Sequence, residues 1–170
     1  MFATKVPLFP FHSWLLNAHV EAPTSGSIIL AAILLKLGIF GIIRYLFEFL
    51  FDVTTHMSFL VLSLALIGVL YSSICAITEQ DLKKILAYTS ISHMNLVVIG
   101  LFTFDDKGLM GAIYLSIGHV ITSAALFFLI GSLYDRFHTR NLLLFGGLTQ
   151  LMPIFSVFLF FFIMANSGFP

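Results

Sequence analysis

The sequence predicts an all-α fold, a polytopic transmembrane helix bundle, and three observations carry that class. Of 170 residues, 59 % are hydrophobic and only 9 % are charged. A soluble domain carries about a quarter charged residues, so these side chains cannot cover a water-facing surface. Apolar runs of about 20 residues recur along the chain, the length a helix needs to cross a hydrocarbon core about 30 Å thick. The runs are apolar on every side and do not alternate residue by residue. Inside lipid each backbone polar group must be satisfied within the structure, which selects helices here.

The elements follow in order. Residues 1–16, "MFATKVPLFPFHSWLL", are apolar but punctuated by Pro7 and Pro10. They are too short to span and predict an N-terminal half-helix. They lack the basic start and unbroken apolar core of a secretory leader. Five full spans are predicted at about 27–47, 58–77, 84–104, 108–134 and 148–168, separated by the polar connectors "FDVTTHM", "TEQDLKK", "DDKG" and "DRFHTRN". In the last span, Pro153, Gly168 and Pro170 predict a helix that is broken or stops abruptly near residue 166. No internal repeat is visible. Residues 1–170 read as one transmembrane domain.

Formal net charge is zero, which gives no basis for nucleic-acid binding. Cys75 is the single cysteine, so no intrachain disulfide can form. The 20 phenylalanines hint at the T-rich codons of an organelle genome. With the 27–47 helix running from one side to the other, Lys83, Lys84, Arg136 and Arg140 fall on its starting side and Arg44 and Lys107 on the far side. The basic surplus predicts the starting side as matrix or cytoplasmic.

Titratable groups at mid-span point to chemistry. Lys36, His93 and His119 lie near the centres of three spans, at about the same depth, whereas every carboxylate (Glu21, Glu48, Asp52, Glu79, Asp81, Asp105, Asp106, Asp135) lies at an end or in a connector. Ser116, His119 and Ser123 share a helix face, as do Thr89 and His93, with Tyr88, Ser92 and Asn95 on the next stripe. Ionisable side chains inside the membrane are expensive and mark ion or proton pathways. Low dielectric disfavours a charge, and histidine relays protons readily. These residues therefore predict a proton path along the midplane.

The alternative for Lys36 is an ammonium that snorkels to an interface, but at 1.5 Å rise per residue it lies about 15 Å from either end. For His93 and His119 the alternative is a hydrogen bond to a neighbouring helix. His56 and His138 fit interfacial solvation. His12, His19 and Glu21 resemble a metal site only weakly, since zinc needs three or four converging ligands. Lys83, Lys84 and Arg140 read as positive-side anchors. No phosphate loop, CxxC pair, haem ligand pair or nucleophile elbow is present, so no catalytic, cofactor-binding or metal residue is predicted and no redox chemistry is expected in this chain. A buried ammonium needs a counter-charge. With no mid-span carboxylate in the sequence, the partner of Lys36 is expected from another chain or from sequence outside this one.

The stretches "KVPLFPFHSWLLNAHVEAPTSGS", "LLKLGIFGIIR", "DLKKILAYTSISHMN", "GHVITSAALFFLIGSLYDRFHTR" and "GGLTQLMPIFSVFLFFFIMANSGFP" together resemble, over nearly the whole chain and in the same order, the chain 4 family of proton-pumping NADH:ubiquinone oxidoreductase, respiratory complex I. The match covers about the middle third of such subunits, so the chain is expected to be incomplete at both ends, as a partial sequence or one piece of a split subunit. The family implies an antiporter-like fold of about fourteen helices with two inverted repeats, each holding a broken helix. It also implies proton acceptance at Lys5, beside the "KVP" break, lateral transfer at Lys36 and onward relay at His119. Leu16 stands where the family usually has proline. The family's glutamate partner of Lys5 lies upstream of residue 1, and its terminal carboxylate lies past Pro170. The resemblance further implies partners among the other membrane subunits of the complex, with NADH, FMN, iron–sulfur clusters and ubiquinone bound elsewhere, and a place in the mitochondrial inner membrane or a bacterial membrane. A cation/proton antiporter subunit of the same fold is the alternative.

Overall fold

A computed structural model describes residues 1–168. Its helices are α1 (Phe2–Lys5), α2 (Ser13–Glu21), α3 (Thr24–Phe49), α4 (Phe51–Thr78), α5 (Leu82–Leu101), α6 (Asp106–Phe137), α7 (Leu148–Leu151) and α8 (Pro153–Asn166). Four of them, α3 to α6, are long and apolar enough to cross a membrane, each enclosing one of the first four predicted spans to within a few residues.

Two differences from the sequence reading have local causes. The stretch 51–57 is the first two turns of α4 and not a connector. It contains no glycine or proline to stop a helix, and Asp52 in the first turn suits the positive end of the helix dipole. The fifth predicted span is divided at Met152, whose backbone leaves the helical region (φ −137°) just before Pro153. Proline is tolerated at the first position of a helix and not in its interior, so α8 starts there. Its 14 residues reach about 21 Å, short of a full span. The stop near residue 166 is found at the end of α8, while Pro170 lies outside the described residues.

Helices α4, α5 and α6 pack in chain order, with α3 and α8 against α6 and α2 against α5. Helix α5 is the most enclosed. Leu35, Ile39, Ile91, Met94 and Val98 centre one apolar core together with Val6 and Leu15. A second core joins Ala31, Leu86, Leu126, Phe127 and Ile130.

At one end of the bundle the α4–α5 connector is joined to the chain leaving α6. Leu82 N donates to Arg140 O at 3.0 Å and Leu142 N to Gln80 O at 2.9 Å. The break between α1 and α2 lies against α3 at Gly38, where a Cβ would come within 2.5 Å of Val6 Cγ2. Only glycine lets the two backbones approach this closely.

Candidate functional site

The site begins with an irregularity in α3. Lys36 is bracketed by two π-helical turns, Leu30–Leu34 and Ile42–Leu46, a conformation that is rare and frequent at functional sites. The Lys36 ammonium donates to the carbonyl of Ala31 at 2.6 Å, five residues back. It also lies 2.8 Å from His119 Nδ1. With the His119 proton on Nε2, the Ala31 carbonyl and His119 Nδ1 take two of the three N–H donors of an ammonium.

His119 is 3 % exposed and shares the buried face of α6 with Ser116 and Ser123, the stripe expected from their spacing. Ser123 Oγ donates to the His119 carbonyl at 2.5 Å. With Nδ1 turned to Lys36, the other ring nitrogen, Nε2, is buried without a partner among the described residues. The ring of His93, on α5, meets that of His119 edge to face, with centroids 5.5 Å apart. A cavity of about 180 Å³ adjoins both histidines and is also lined by Tyr114, Thr122 and Asn166.

Three of the four predicted relay residues, Lys36, His119 and His93, are thus brought together. Lys5 is apart from them. It ends α1 and its side chain is exposed, although its Cβ lies 3.2 Å from the position a Cβ would take on Gly38, one helix turn or less from Lys36. Among the described residues, the polar contacts of Lys36 are a backbone carbonyl and an imidazole of this same chain; the carboxylate expected from outside this sequence lies beyond them. Among the described residues, the ion pairs are Arg44–Glu48 and Lys84–Glu79, and neither reaches the midplane group.

Other candidates take structural places. His56 and His138 are exposed. His19 is fully buried and stacks on Phe127, centroids 4.5 Å apart and planes 7° from parallel. His12 packs against Phe9 and Tyr71. Among the described residues, no three His, Cys, Asp or Glu side chains come together as metal ligands. Lys83 and Arg140, read from the sequence as positive-side anchors, also make specific bonds to the end of α2. Lys83 is 3 % exposed and donates to Ala22 O at 2.9 Å, and Arg140 donates to Val20 O at 2.6 Å. Sequence reasoning missed the Ala31 carbonyl, which as backbone leaves no residue signature, and Asn166, a polar residue legible at the end of the last apolar run.

Comparison with known proteins agrees with this fold. The family model described as NADH:quinone oxidoreductase/Mrp antiporter, TM, matches residues 1–170. NADH-ubiquinone oxidoreductase chain 4 of Acanthamoeba castellanii is 50 % identical over 99 % of this chain and 34 % of its own length. The chain therefore spans about a third of the relatives it matches. Among solved structures, respiratory complex I from Thermus thermophilus with bound NADH superposes with a TM-score of 0.94 at 32 % identity, over 99 % of this chain and 36 % of that one. The Mrp complex from Dietzia sp. DQ12-45-1b gives 0.92 at 26 % identity, over 99 % of this chain and 32 % of that one. The chain belongs to the transmembrane family of NADH:quinone oxidoreductase and Mrp antiporter subunits.

Proposed function

We propose that the chain is a segment of a membrane-arm subunit of a proton-translocating NADH:ubiquinone oxidoreductase, acting with the other membrane subunits in the mitochondrial inner membrane. Its part in that reaction is to move protons along the midplane through Lys36, His119 and His93, with Lys5 as the acceptor on the approach side. The observation that carries the reading is the 2.8 Å contact between Lys36 Nζ and His119 Nδ1 inside a membrane-length bundle.

The chemistry follows from the donors and acceptors. An ammonium that donates to His119 Nδ1 requires that nitrogen to hold a lone pair, so the neutral imidazole carries its proton on Nε2. Transfer from Lys36 to Nδ1 makes an imidazolium, which releases the Nε2 proton towards the cavity shared with His93. A volume of about 180 Å³ has room for several waters at about 30 Å³ each, enough to bridge two rings whose centroids are 5.5 Å apart. Each transfer exchanges one N–H bond for another, and no electron moves within this chain. The NADH, flavin, iron–sulfur and quinone chemistry belongs to other subunits in this reading.

The test is Lys36→Met in the complete complex, reconstituted in vesicles. Assembly and NADH oxidation should persist while protons translocated per electron fall steeply. Normal translocation at normal assembly levels would falsify the relay.

The likeness to the Mrp complex structure supports a second reading, a cation/proton antiporter subunit using the same line of residues. Purification of the subunit in its native assembly separates the two. Flavin and iron–sulfur proteins accompany it in the first case and are absent in the second.

A further inference from the structure

The C-terminal end of α2 is held by side chains from other elements. A helix leaves its last carbonyls without intrahelical donors. At this end two carbonyls are taken by cations, Val20 O by Arg140 at 2.6 Å and Ala22 O by Lys83 at 2.9 Å. Both cations lie over the ring of Tyr134, at 5.2 Å and 5.8 Å from its centroid, within cation–π range.

The position of Lys83 is informative. It is the second residue of α5, and a cation in the first turn opposes the dipole of its own helix. A cation at a helix C-terminus matches the dipole. The buried ammonium is therefore badly placed for α5 and well placed for α2. The backbone bonds between residues 80–82 and 140–142 lock its two carriers together, which makes the grip on α2 a fixed one.

Helix α2 connects two parts of the candidate relay. Its N-terminal side continues from the break that carries Lys5, and its C-terminal side runs through Ala22 and Pro23 into α3, which carries Lys36. We infer that Lys83, Tyr134 and Arg140 form a socket that fixes the broken helix, and with it Lys5, relative to Lys36. These are positioning residues that set the efficiency of proton transfer without lying on its path. The inference rests on the relay reading given above.

The test uses the complete complex carrying Lys83→Met or Arg140→Gln, with Tyr134→Leu read in the same way should either fail to assemble. Two quantities are measured: hydrogen–deuterium exchange at residues 13–22, and protons translocated per electron in vesicles. Exchange should be faster by about tenfold, as expected for loss of a charge-assisted hydrogen bond. The proton ratio should fall by at least about twofold, because a misplacement of about 1 Å can slow a reaction about a hundredfold. Restoration of both values by Arg140→Lys, relative to Arg140→Gln, supports a donor-dependent socket. Unchanged exchange overturns the socket, and faster exchange with an unchanged proton ratio overturns its part in translocation. Lys36→Met, run in parallel, tests the relay itself, so its failure is read separately from the exchange result.

Discussion

Lys36 and His119, separated by 83 positions in the sequence, meet at 2.8 Å between Nζ and Nδ1. The lysine comes from a helix loosened by π turns and the histidine from the serine-flanked buried face of α6. The contact joins the two most strongly marked mid-span residues of the chain.

In the proposed relay the contact works by releasing a proton, so charge alone does not substitute for it. Arginine keeps its proton under all ordinary conditions. Lys36→Arg should lower proton translocation by about a hundredfold or more, the range that a positioned acid–base group contributes. Proton uptake by reconstituted vesicles checks this, and an arginine variant that pumps like the wild type contradicts a transfer at this position.

The cavity beside the histidines is bounded by Asn166 at the end of α8. Asn166→Leu places an apolar branch where the amide stands and drives water from the space between His93 and His119. The expected result is a several-fold slower coupled turnover, less than the roughly hundredfold or greater cost of losing a proton-transfer group itself, with assembly intact. Asn166→Asp keeps a hydrogen-bonding group there and should retain more of the rate. Steady-state turnover of the two variants, side by side, decides the matter.

His19 offers a contrasting case. It is fully buried, both ring nitrogens are without partners among the described residues, and its ring stacks on Phe127. An unpartnered buried polar atom is a liability that an apolar ring of like shape removes. His19→Phe should be neutral or stabilising, whereas His19→Ala should cost about 3 kcal/mol by leaving a cavity. Thermal unfolding of the solubilised protein ranks the three. A phenylalanine variant less stable than the alanine one contradicts the packing role.

Gly38 carries the close approach of the helix break to α3. A methyl there meets Val6 Cγ2 at 2.5 Å and the Val6 backbone nitrogen at 3.2 Å. Overpacking of this kind costs about 1–3 kcal/mol, so Gly38→Ala should lower the unfolding temperature and displace Lys5 from its place beside α3. Calorimetry measures the first effect, and the reactivity of a cysteine installed at Lys5 measures the second.

Much of this architecture was legible in the sequence because the bilayer imposes its length on helices. The 20-residue runs identify α3 to α6, and the rarity of titratable groups at mid-span singles out Lys36, His93 and His119. The polarity of 51–57 reads as a connector, yet "FDVTTHM" has neither glycine nor proline to end a helix, and it is helical. The backbone contact of Lys36 was not legible at all. One of its acceptors is the Ala31 carbonyl, and carbonyls have no one-letter code. The burial of Lys83 and the bond of Arg140 to Val20 O depend on where the end of α2 arrives in space, which no local pattern records.

The wide turns at Leu30–Leu34 and Ile42–Leu46 give α3 slack. Each holds about one residue more than an α-helical turn, and one residue corresponds to about 100° of rotation at 3.6 residues per turn. Removing a single residue from either turn takes up that excess and lets the turn tighten to ordinary helix, so Lys36 keeps its seat and the flanking segment keeps its register. Helix α3 is therefore the span in which a one-residue length change is absorbed locally. In α5, with no spare residue, the same deletion turns every buried side chain beyond it out of register.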